Sequence, residues 1–94
     1  MAYKVTYQRR ALANLESIEA WIAQDSPRAA TRVIRRIHER ISDLSQFSEQ
    51  GRLGVKRDTR ELVITGTPYI VTYALRRGGV FIITIRHGAR RPLG

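Results

Sequence analysis

The residues best equipped for chemistry gather near the end of the chain. Arg86 and His87 close an apolar run that begins at Val80, and Arg90 and Arg91 follow within four residues. An imidazole titrates near neutrality and can give or take a proton, and guanidiniums bind phosphate or carboxylate through two parallel hydrogen bonds. Arg60 opens an earlier apolar stretch. If the two stretches lie side by side, one imidazole and several guanidiniums meet. That set suits RNA cleavage, with a general acid or base beside cations for the charge developing on the phosphate. The competing reading makes His87 a strand-end residue bonded to a backbone carbonyl, beside arginines that hold an acidic protein.

Other candidates are weaker. His38 lies next to the apolar positions Ile37 and Ile41 in a helical pattern and reads as structural. Glu16 and Glu19 are neighbours on one helix and read as solvated face charges rather than a catalytic pair. The serines have no nucleophile-elbow context, and no glycine-rich phosphate loop carries the needed lysine. The chain has no cysteine, so disulfides and thiolate chemistry are excluded. Its two histidines lack any metal-ligand spacing, so no metal or other cofactor is expected.

Charge narrows the partners. The 94 residues carry a net charge of +9, which points to an anionic partner: nucleic acid, an acidic protein or, less favourably, a membrane surface. Residues 1–26 are balanced, whereas residues 27–60 hold nine basic and four acidic groups and residues 61–94 hold five and one. Fifteen of the 17 basic residues are arginine, suited to planar contact with phosphate or carboxylate. No stretch approaches the roughly 20 apolar residues that span a bilayer, and no signal-peptide core is visible, so the cytoplasm is the expected location.

The elements that must position these groups follow from periodicity. AYKVTY alternates as a short strand. From about Arg10 to Ala23 the period becomes helical, with Leu12, Leu15, Ile18 and Ile22 as the expected buried stripe. QDSP breaks the chain, Ser26 can cap a second helix, and Pro27 suits its first turn. That helix is expected from Pro27 to Phe47, burying Ala30, Val33, Ile34, Ile37, Ile41 and Leu44. The segment 47–59 reads as a loop. Strands are then expected over about Arg60–Thr65, Tyr69–Arg76 and Val80–His87, turned at 66–68 and at 77–79. The fold class is α+β in a single domain over 1–94: βααβββ, a helical hairpin packed on a small, mainly antiparallel sheet.

Three pieces carry a resemblance: RELV at Arg60–Val63, PYIVTY at Pro68–Tyr73 and RHGAR at Arg86–Arg90, supported by the loop pair Gly51–Arg52. Over nearly its whole length the chain resembles the RelE/ParE superfamily of toxins from type II toxin–antitoxin pairs, and its ending is closer to the ParE-like branch. The resemblance implies a growth-inhibiting toxin that binds DNA gyrase, is not a hydrolase, and forms a hetero-oligomer with a cognate acidic antitoxin. Arg52, Arg60, Arg86, His87, Arg90 and Arg91 are then the expected target- or antitoxin-binding residues, with no membrane partner. The RelE-like alternative implies a metal-independent endoribonuclease acting on mRNA at the ribosome. In it Arg60 and Arg86 hold phosphate and His87 is the acid or base, although no tyrosine follows the last strand. A third reading, resting on charge alone, is a small non-toxic nucleic-acid-binding module.

Overall fold

A computed structural model describes residues 2–89; Arg90 and Arg91 lie outside the described residues. The element order is β1 (Lys4–Tyr7), α1 (Arg9–Ala23), α2 (Pro27–Asp43), β2 (Arg52–Leu53), β3 (Thr59–Val63), β4 (Tyr69–Arg76) and β5 (Gly79–His87). They form one five-stranded sheet in the order β1-β5-β4-β3-β2. The pair β1/β5 is parallel and the other three pairs are antiparallel. A parallel neighbour needs a crossover, and the α1–α2 hairpin supplies it.

Both helices lie on one face of the sheet. Ser26 accepts a hydrogen bond from the Ala29 amide at 3.1 Å and so caps α2, with Pro27 in the first turn. Beneath the helices lies a continuous core of Ala11, Leu15, Ile18, Ile37, Ile41 and Leu44 against Leu62, Ile64, Val71, Tyr73, Val80, Ile82 and Ile85, with Val33 and Ile34 packed at its rim.

Three expectations change. Leu12 is not in the core but 48% exposed, and Ala11 takes the buried position. Leu15 and Ile18 are buried and Ile22 packs at the edge of the core, as the stripe requires, so only its first position moves, from Leu12 to Ala11. Second, α2 ends at Asp43 rather than Phe47. The amides of Leu44, Ser45 and Gln46 bond to the carbonyls three residues back, so the chain tightens into turns that still bury Leu44. Third, the loop 47–59 contains the two-residue strand β2, paired with Glu61 and Arg60.

The β4–β5 hairpin turns on Arg77 and Gly78, at φ 45° and 75°. Two successive positive φ values make the tight two-residue turn that matches strand twist. Between Thr72 and Tyr73 the register slips: Thr72 faces Thr84 but Tyr73 faces Ile82, so Ile83 is an extra residue in β5.

Candidate functional site

Three clusters hold the residues picked out by their chemistry. At the end of β5, His87 stands opposite Tyr69 on the helix side of the sheet. The two rings meet edge to face with centroids 5.6 Å apart, and His87 Nδ1 accepts a hydrogen bond from the Ala89 amide at 3.1 Å. That bond puts the proton of the neutral ring on Nε2. Beside the pair opens a cleft of about 370 Å³ walled by Asn14, Ser17, Ile18 and Trp21 of α1. Trp21 is 65% exposed. Asn14 also closes the ladder of β5: β1 ends opposite Ile82, and the Ile85 amide beyond it donates to Asn14 Oδ1 at 2.9 Å.

On the opposite face lies a carboxylate clamp. Glu61 Oε1 accepts from Arg52 at 3.1 Å and 3.3 Å, and Glu61 Oε2 accepts from Arg86 at 3.4 Å. The Glu61 side chain is only 17% exposed. Alternation explains the division: Arg86 and His87 are consecutive in β5 and must leave the sheet on opposite faces.

The third cluster anchors the 47–51 loop. Arg60 Nη1 donates to the carbonyls of Gly51 at 2.8 Å and Glu49 at 3.2 Å. Beside it, the Tyr73 hydroxyl donates to the Ser48 carbonyl and accepts from the Gly51 amide, both at 2.8 Å. Burial pushes the Tyr73 phenol above its ordinary value, and the Gly51 hydrogen bond and Arg60 charge pull the other way. A Cβ on Gly51 would sit 2.8 Å from both the Tyr73 ring and the Glu61 carbonyl, so only glycine fits there.

Arg52 and Arg86 therefore share one carboxylate, whereas Arg60 and His87 stand apart. Strands β3 and β5 are not neighbours, since β4 runs between them. Arg60 faces Tyr73 and His87 faces Tyr69, four residues or about 13 Å along the strand at ~3.3 Å per residue. His38 bonds through Nδ1 to the Tyr7 hydroxyl at 2.7 Å. Burial raises Tyr7 to about 12. Sequence reading passed over Glu61, Asn14, Trp21 and Tyr69. Glu61 alone had a visible signal, as the single acid among the last 34 residues. Among the described residues no cluster of three or more His, Cys, Asp or Glu side chains could hold a metal. None of their helices is long and apolar enough to cross a membrane.

Two helices on one face of a mixed five-stranded sheet, in a strongly basic chain, define the class as a small α+β fold. The family model of the ParE toxin of the type II toxin–antitoxin system parDE matches residues 5–92, and the chain belongs to that family. It is 39% identical over 84 residues to Y4kP of Sinorhizobium fredii, covering 89% of this chain and 86% of that one. It is also 40% identical over 87 residues to toxin RelE2 of Caulobacter vibrioides, covering 93% and 97%. Among solved structures it is similar to the chromosomal ParDE toxin–antitoxin system of P. aeruginosa, with a TM-score of 0.83 at 21% identity over 92% of this chain and 96% of that one. The chain is thus the toxin of a type II pair in the ParE/RelE family, and its partner is a cognate antitoxin.

Proposed function

We infer that this toxin acts as ParE-like members do, by inhibiting DNA gyrase, and that an acidic antitoxin neutralises it. The observation that carries this reading is the Glu61 clamp. A ribonuclease site needs cations free to meet a phosphate and an acid or base within reach of the same atoms. Here Arg86 and Arg52 are both held by Glu61, which offsets one of their two charges, and Arg60 turns Nη1 to loop carbonyls. His87 stands on the other face with Nδ1 already engaged. The arrangement favours a surface that binds protein over one that cuts RNA. Net charge of +9 supports the acidic character of the antitoxin.

The mRNA endonuclease reading keeps one supporting observation: Nε2 of His87 has no hydrogen-bond partner among the described residues and lies beside an open cleft lined by Trp21 and Tyr69. Purified toxin added to gyrase and relaxed plasmid separates the two. Loss of supercoiling, with mRNA intact on translating ribosomes, is the expected result. Normal supercoiling together with cut mRNA would replace the gyrase reading with the nuclease.

A further inference from the structure

A second basic site lies on the open face of the sheet, at the end remote from His87. Lys4 and Arg76 both pair in register with Gly79, one from each side. Side chains of register partners share a face, so two cations flank a position that has no side chain. The strands beside β5 place their backbones about 10 Å apart. The next row on that face is Thr6–Phe81–Ala74. The Phe81 ring leans back over the gap, since a Cβ on Gly79 would meet it at 3.1 Å and 3.3 Å. An aromatic plate therefore fills the space between two cations. Arg77, at the hairpin tip, adds a third, and Thr6 and Gln8 add a hydroxyl and an amide to the same cleft of about 750 Å³. Asp58 is the one acid on its wall.

We propose that this cleft binds a single strand of nucleic acid, with one base stacked on Phe81 and the flanking phosphates held by Lys4, Arg76 and Arg77. The chemistry selects that ligand over an acidic peptide. Phosphodiesters and carboxylates both satisfy the cations, but a nucleic acid offers a flat π surface between two anions at every step, whereas an acidic peptide does so only where an aromatic residue sits between two acids. Stacking on an aromatic side chain within a basic groove is the general mode of sequence-tolerant single-strand binding. The assignment is independent of the toxin's target: it holds whether or not gyrase is inhibited.

The test is fluorescence anisotropy of the full chain with labelled ten-nucleotide thymidine and uridine strands, titrated against salt. Phe81→Leu keeps the charge and an apolar side chain, and should weaken binding about tenfold. Gly79→Ala, whose methyl displaces the ring, should act in the same direction without removing any group that touches the strand. Lys4→Ala with Arg76→Ala should lower the slope of log K against log salt by about 1.4, at ~0.7 per phosphate contact on a single strand. Arg32→Ala with Arg35→Ala removes as much charge from α2 and should change the slope much less. The DNA and RNA strands distinguish which source the cleft accepts, and preference for either supports the site. Four results would each overturn it: no binding at low salt; equal losses for the α2 and cleft pairs; Phe81→Leu and Gly79→Ala binding as the parent does; or poly-glutamate displacing the strand at equal charge concentration.

Discussion

On the helix side of the sheet, Leu62, Val71, Tyr73, Ile82 and Ile85 are sealed beneath α1 and α2; one strand position away, on the open side, Glu61, Thr72, Thr84 and Arg86 line the surface. The same strands supply both sets. The covered side is held by burial, roughly 25 cal/mol for each Å² of apolar surface removed from water. The open side is organised by charges, where an exposed pair contributes only about 0–1 kcal/mol. Substitutions on the two faces should therefore report on different things: stability on the first, recognition on the second.

The sharpest test of that division lies in the core. Truncating Leu15 or Ile37 to alanine should cost about 2–5 kcal/mol in chemical denaturation. Arg32→Ala and Arg36→Ala, on the exposed face of α2, should change stability by only about 0.5 kcal/mol. Equal losses at all four positions would break the comparison. Next in size is Tyr73→Phe, which leaves the Gly51 amide and the Ser48 carbonyl without their partner. The expected loss is about 1–3 kcal/mol, with hydrogen exchange accelerated in the 47–51 loop. An unchanged loop would mean that Arg60 alone anchors it.

A smaller effect concerns pH. Tyr7 titrates at about 12 in the folded protein because burial disfavours its phenolate, against about 10 when unfolded. The unfolded chain therefore loses this proton first. The stabilisation is fully present below pH 10 and is lost as pH rises from about 10 to about 12. Tyr7→Phe should flatten that limb of the stability curve relative to the parent. Two parallel curves would place Tyr7 in solvent.

The division of faces also decides what the sequence could reveal. Helical and alternating periodicity follow burial, so α1, α2 and the three long strands were legible, as were the Ser26 cap and the hairpin turn beside Gly78. In α1 only the first buried position was misplaced: Ala11 and Leu12 both border the apolar stripe, and the structure buries the alanine and exposes the leucine. Strand β2 has two exposed residues and no period to read. Among the candidate site residues, Arg52 and Arg86 share Glu61, a pairing across three strands that no local spacing announces. Arg60 was visible as a cation, but its engagement with loop carbonyls depends on a fold-back from Glu49 to Gly51. Alternation sends Arg86 and His87 to opposite faces of β5, so the strand separates two residues that the sequence reading gathers at one phosphate.

The most direct test of the gyrase reading is growth arrest on induction of the His87→Gln variant, followed with mRNA mapping on translating ribosomes. Glutamine roughly keeps the size and hydrogen bonding of histidine but cannot transfer a proton near neutral pH. Toxicity close to that of the parent, with intact mRNA in both, is the expected result. Codon-periodic mRNA cleavage by the parent that falls by about 10²–10⁴-fold in His87→Gln would make His87 a general acid or base and contradict that reading.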